Sequence, residues 1–174
     1  MLIRRELPAD IPAIRDVHAA AFGTSDTPGV VPAEAGLVDA LRADEGWVPE
    51  LSMVATTAEG AVTGHVVCTR ASVGSTPALG LGPLGVLPAF QRQGVGHALM
   101  HAVLGAADAC GEPLVVLLGH SDYYPLFGFR LAEEYGITPP VPEWAPHFQV
   151  RTLTTYAPDM RGAFTYAKPF NDLP

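Results

Sequence analysis

Cysteine, positive charge and long apolar runs are all scarce in this chain. Cysteine occurs twice, at Cys68 and Cys110, and neither position has metal-ligand spacing or belongs to a disulfide framework. Both read as buried thiols. Ten Lys and Arg face 18 Asp and Glu, a net charge of −8. No basic stripe is left to follow a phosphate backbone, so no nucleic-acid partner is expected. The balance instead favours cationic small molecules near acidic openings. No apolar run reaches the roughly 18 to 20 residues of a membrane helix, because charges, Gly and Pro interrupt each one. The opening Met1-Leu2-Ile3-Arg4-Arg5-Glu6 turns charged before an export signal could form. A cytoplasmic protein without membrane association is therefore the expectation. With 48% apolar and 16% charged residues in 174, the whole chain reads as one globular domain, residues 1–174.

Periodicity supplies the elements. Leu2 to Leu7 reads as a strand, and Pro8-Ala9-Asp10 as helix-start chemistry. Ile11, Ile14, Val17, Ala21 and Phe22 then recur at helical spacing up to Gly23. Thr24 to Val31 is a loop by composition, and Leu37, Val38 and Leu41 mark a second helix ending near Gly46. These two helices should cover one sheet. Leu51 to Ala58 and Ala61 to Val73, joined at Glu59-Gly60, predict a hairpin. Ala78 to Leu87 is a strand rich in glycine, which is weak strand chemistry unless another backbone comes close. A helix follows with Val95, Leu99, Val103 and Ala107 on one face, closed by Gly111 and Pro113. Leu114 to Leu118 is a continuous apolar run of strand length. This strand–loop–helix–strand order predicts a parallel pair within a mixed sheet. After a short helix over Asp122 to Leu126, the segment Leu131 to Pro146 reads as loop, and β character resumes at Phe148 to Leu153 and Ala163 to Ala167. The fold class is thus α/β with a mixed sheet.

The loop Gln91-Arg92-Gln93-Gly94-Val95-Gly96 is the strongest functional signal. The helix after it has unpaired first N–H groups and the positive end of a dipole, which together form an anion site. Two alternate glycines keep side chains out of the way, and Arg92 adds a charged donor. A pyrophosphate fits. A literal Gly-x-Gly-x-x-Gly at Gly80, Gly82 and Gly85 lacks the helix that a dinucleotide fingerprint must open. His97 after Gly96 excludes a nucleoside-triphosphatase loop, and His97 with His101 lacks the Glu of a zinc-protease motif, so no metal is expected.

The segment from Leu81 to Leu99, with its Val-x-Pro strand end and Gln-x-x-Gly-x-Gly loop, resembles the core motif of the GNAT superfamily of N-acetyltransferases. The hairpin sequences Leu51 to Ala55 and Val62 to Val66, the element Tyr124-Pro125-Leu126-Phe127-Gly128-Phe129 and the end Gly162 to Phe170 resemble the YhbS-like subgroup. The resemblance implies the GNAT fold, a mostly antiparallel mixed sheet with one splayed parallel pair and helices on both faces. It implies acetyl-CoA as co-substrate and an amine as acceptor, and charge favours a cationic one. Leu84, Gly85 and Val86 would offer backbone groups to the pantetheine arm, and Gln91, Arg92, Gln93, Gly94, Val95 and Gly96 would hold the phosphates. By the same analogy the Val86 N–H would support the oxyanion, and Tyr124 would protonate the leaving thiolate, with Tyr123 as packing. The glycine-rich strand carries no acid, so the base stays open among His120, Glu34 and a water relay. A GNAT-fold module that binds acyl-CoA without catalysis is the alternative, and a homodimer is left open.

Overall fold

A computed structural model describes residues 1–24 and 30–173 of the chain. Residues 25–29, inside the stretch read as a loop, lie outside it. The first strand, β1 (Leu2–Arg5), leads through a 3-10 turn into α1 (Ile11–Phe22) and then α2 (Ala33–Ala43). The predicted hairpin forms as β2 (Ser52–Thr56) and β3 (Val62–Val73). A second hairpin joins β3 to β4 (Thr76–Val86). Then come α3 (Val95–Ala109), β5 (Leu114–Leu118), two-residue strands β6 (Arg130–Leu131) and β7 (Ile137–Thr138), β8 (Phe148–Thr152) and β9 (Gly162–Thr165). The segment read as loop after Leu131 thus holds β7 and two 3-10 turns, and the helix expected over Asp122 to Leu126 is a 3-10 turn at Tyr124–Phe127. Strands of two residues carry no detectable period, which is why sequence reading missed them.

The sheet runs β1-β2-β3-β4-β5-β8-β6, with β9 against the end of β3 and against β7. Antiparallel pairing dominates, with β4–β5 parallel inside the main sheet. That pair is short: only Leu79↔Val115 and Gly80↔Val116 are in register, while β5 pairs with β8 along its whole length. Beyond Gly80 the two strands part.

Alternation along β3 distributes the core. Val66 and Cys68 face α3, where Leu99, Met100 and Val103 are fully buried, each worth roughly 1.5 to 3 kcal/mol. Val67 faces Leu37 and Leu41 of α2, and Val54 on β2 faces Ile14 and Val38. A bulge opposite Val67 adds one residue to β4 at Gly82-Pro83 and switches its parity. Leu79 and Leu81 before the bulge face α3, and Leu84 and Val86 after it do so again, so Gly85 faces α1. Cys68 is buried, whereas Cys110 is exposed at the end of α3, contrary to the expectation of two buried thiols. No helix is long and apolar enough to cross a membrane among the described residues.

Candidate active site

Where β4 and β5 part, the chain leaves a cleft of about 1080 Å³ that passes from the mouth of α3 to the ends of α1 and α2. Its first wall is the outer edge of β4. The Leu87 N–H donates to the Thr63 carbonyl at 2.9 Å. Backbone groups alternate along a strand, so Val86 and Leu84 turn theirs toward the open edge and Gly85 turns its own toward β3. The Val86 carbonyl takes a hydrogen bond from Gln91 Nε2 at 3.0 Å, and its N–H lies on the open side.

The second wall is the α3 mouth. The first N–H bonded within the helix is that of Ala98, to Gly94 O at 3.0 Å. The N–H groups of Val95, Gly96 and His97 therefore have no partner inside the helix. Arg92 (φ 60°) and Gly94 (φ 85°) both adopt left-handed backbone. For Arg92 this costs roughly 1 to 2 kcal/mol, and the side chains of Gln91 and Gln93 brace the loop by bonding Val86 O and Ala89 O, the latter at 2.8 Å. The result is a concave run of backbone donors at a helix start, suited to anions.

Nearly all the residues singled out in sequence meet here. Leu84, Gly85, Val86, Gln91, Arg92, Gly94, Gly96, Tyr124, His120 and Glu34 all line the cleft. Two do not: the Gln93 side chain is turned to Ala89, and Val95 is buried in the core, so each can offer only backbone. The glycines also have a different reason from the one expected. A Cβ on Gly85 would lie 2.8 Å from His18 Nδ1, and one on Gly80 would lie 2.8 Å from the Tyr166 ring. Protein side chains occupy those spaces.

Tyr124 stacks across Gly119 and lies edge-on to Tyr123, ring centroids 5.0 Å apart. Burial, with a smaller contribution from Tyr123, pushes its phenol up to about 12, so it is protonated at neutral pH. His120 is exposed at the rim, and Glu34 is half-buried at the start of α2. His97 and His101 are exposed and pack edge-on or tilted against Phe127. Among the described residues no group of three His, Cys, Asp or Glu is arranged for a metal.

The far end of the cleft was not foreseen. Tyr166 covers Gly80 at the last β4–β5 pair and hydrogen-bonds the Leu118 backbone, so an aromatic ring floors the fork. Phe22, Leu37, Trp144 and Phe170 line the space above it, with Glu34 the lone carboxylate among the described lining residues. Behind Gly85 lies a buried polar chain, also unforeseen. His18 Nε2 is 2.8 Å from His65 Nδ1, His65 Nε2 is 2.8 Å from Ser52 Oγ, and Ser52 donates to Glu6, which pairs with Arg42 at 2.7 Å. Only one signal marked His18 in the sequence, its place four residues after Ile14 and four before Phe22 on the apolar face of α1.

Known proteins place this geometry. Residues 13–125 match the Acetyltransferase (GNAT) family. The chain is 34% identical over 169 residues to YjhQ of Escherichia coli K12, covering 92% of this chain and 89% of that protein. It is 33% identical over 174 residues to YhbS of the same organism, covering 98% and 99%. Both are named as uncharacterized N-acetyltransferases. The crystal structure of Escherichia coli YhbS in complex with CoA superposes with a TM-score of 0.86 at 32% identity, over 99% of this chain and 93% of that one. A GNAT-family acetyltransferase of Brucella melitensis in complex with acetyl-CoA matches with a TM-score of 0.77 at 33% identity, over 97% of each chain. With the parted strands, the α3 mouth and these similarities together, the chain belongs to the GNAT family of acetyltransferases.

Proposed function

We propose that this chain is an acetyl-CoA-dependent N-acetyltransferase that transfers the acetyl group directly to a primary amine. The observation that carries the reading is that the open edge of β4 and the unpaired N–H groups of α3 face one cleft. The CoA in the YhbS relative and the acetyl-CoA in the Brucella melitensis relative support the donor.

In this reading Arg92 and the N–H groups of Gly94, Val95, Gly96 and His97 bind the pyrophosphate. Leu84 and Val86 bind the pantetheine arm through their open-edge backbone, as a further strand would; Gly85, engaged with β3, keeps only the role of leaving room for His18. The Val86 N–H then supports the oxyanion as the amine adds to the thioester carbonyl. Tyr124, held protonated by burial, gives its proton to the departing thiolate. Fixing both reactants in one cleft removes much of the entropic barrier. The acceptor enters between α1, α2 and Trp144, where apolar walls and the carboxylate of Glu34 suit a cationic amine on an apolar body.

Isothermal titration with acetyl-CoA followed by a thiol-release screen over amines tests this. Micromolar binding with turnover on at least one amine is expected. Binding without turnover on any amine favours an acyl-CoA-binding module, and no binding removes both readings.

A further inference from the structure

The chain from His18 to Glu6 has a direction. The Glu6 carboxylate only accepts, so Ser52 donates its hydroxyl proton to it. Ser52 Oγ then accepts from His65 Nε2, which also faces Glu6 at 3.4 Å. His65 Nδ1 is left as a lone pair and accepts from His18 Nε2 at 2.8 Å. Each link fixes the next, and the last atom, His18 Nδ1, is an unprotonated nitrogen. It is buried and has no protein partner among the described residues.

That nitrogen lies 2.8 Å from the place of a Cβ on Gly85. The β4 strand carries no acidic side chain, and the imidazole from α1 takes the space that a side chain at this position would fill. Gly85, Ala21 and Phe22, which surround His18, all line the cleft. Among the buried polar groups, this one is a base without a partner, positioned beside the acceptor half of the cleft.

His18 is fully buried and does not itself line the cleft; we propose that it is the proton acceptor for the amine through one water admitted beside Gly85, and that His65, beside Glu6, carries the charge. This rests on the acetyltransferase reading above. As the N–C bond forms, an amine N–H bond breaks and its proton passes through that water to His18 Nδ1, while the Nε2 proton passes to His65 Nδ1. The C–S bond breaks with its electron pair on sulfur, which takes the Tyr124 proton. After the products leave, the imidazoles return one proton to solvent and Tyr124 regains one, which closes the cycle. Burial, with the neighbouring imidazole, pushes His18 down to about 3, and burial also lowers His65, so both are neutral at pH 7, with an open lone pair on His18 Nδ1. An isolated buried imidazole holds a proton poorly; the Glu6 carboxylate opposes this on His65, although burial still outweighs it. The other charged groups facing the pair are Arg42 on α2 and Asp10 at the start of α1.

Long-range nitrogen–proton NMR on the 15N-histidine protein reads the tautomers without any variant. The expected spectrum has Nε2–H on both His18 and His65; a proton on His18 Nδ1 overturns the proposal. In thiol-release assays at saturating amine, His18→Gln should lower kcat at pH 7 by about 100-fold. Acetyl-CoA affinity should stay within about twofold, and the deficit should shrink as pH rises and the amine loses its proton unaided. His65→Gln, which lies behind His18 and away from the cleft, should show the same pH trend more weakly. A pH-independent loss, or undiminished turnover in folded His18→Gln, sinks the relay and leaves the acetyltransferase reading intact. No wild-type turnover with any amine sinks that reading and the relay's role with it.

Discussion

The two ends of the cleft are built from different materials. At the α3 end the groups that matter are backbone: N–H groups at a helix start, a left-handed loop and an open strand edge. At the α1 and α2 end they are side chains: Phe22, Glu34, Trp144, Tyr166 and the imidazoles behind Gly85. A backbone site is written in a short contiguous motif, because glycine spacing and helix polarity suffice to create it. A side-chain site is assembled from segments more than a hundred residues apart in the chain, so no short motif announces it.

The sharpest way to break this contrast is at the backbone end. Gly96→Val would place its Cβ 2.9 Å from the Tyr123 hydroxyl and cover the helix mouth. Acetyl-CoA affinity by titration should fall about 100-fold or more, roughly 3 kcal/mol, with the circular-dichroism spectrum retained. Next, Tyr124→Phe should cut thiol release by well over tenfold, more than ~1.4 kcal/mol of transition-state stabilisation, with acetyl-CoA affinity nearly unchanged. Turnover at the wild-type rate would remove Tyr124 from the chemistry. Arg92→Ala should weaken acetyl-CoA about tenfold, the ~1.5 kcal/mol of one charge-assisted bond, and the difference should shrink with added salt.

At the side-chain end the effects differ in kind. His18 has a folded-state pKa of about 3, below the ordinary 6.5. As pH falls below 6.5 the unfolded chain binds this proton first, so stability that is fully present above 6.5 is lost progressively toward 3. Burial tends to raise the Glu6 carboxyl, but hydrogen bonds from His65, Arg42 and Ser52 outweigh it and hold Glu6 at about 2, which adds a second loss between 4.5 and 2. Thermal melts of His18→Gln should therefore show a flatter slope between pH 6.5 and 4.5 and keep the Glu6 slope below it. A wild-type melting temperature that is level from pH 6.5 to 4.5 would contradict the buried neutral imidazole. Trp144→Ala should have the least effect, raising the acceptor KM a few-fold with kcat nearly unchanged, a loss of roughly 1 kcal/mol of uniform binding.

Much of this molecule was legible before its fold. The α3 face of Val95, Leu99, Val103 and Ala107, the β2–β3 hairpin and the buried β5 run all appear where periodicity put them. The loop from Gln91 to Gly96 was legible as a helix mouth with unpaired N–H groups because that geometry is local. Less was legible where a residue's meaning depends on distant neighbours. Gly85 was read as a backbone position beside the pantetheine arm, and nothing local showed that its Cβ space is the contact surface of His18, 67 residues earlier in the chain. Cys110 was read as buried from its residue type, but the end of α3 leaves it exposed. The bulge at Gly82-Pro83 decides which side of β4 faces α1, and no sequence period announces a change of parity.

Sequence by itself determined the helix mouth and the order of strand, loop, helix and strand around it, since each needs only near neighbours along the chain. Tertiary structure alone decided how far β4 and β5 stay together, which aromatic rings floor their fork, and that His18, His65, Ser52 and Glu6 form one polarised line. The physical reason is range: helix starts and turns are fixed by bonds between residues a few positions apart, whereas a buried polar chain exists only once α1, β2 and β3 have packed and excluded water.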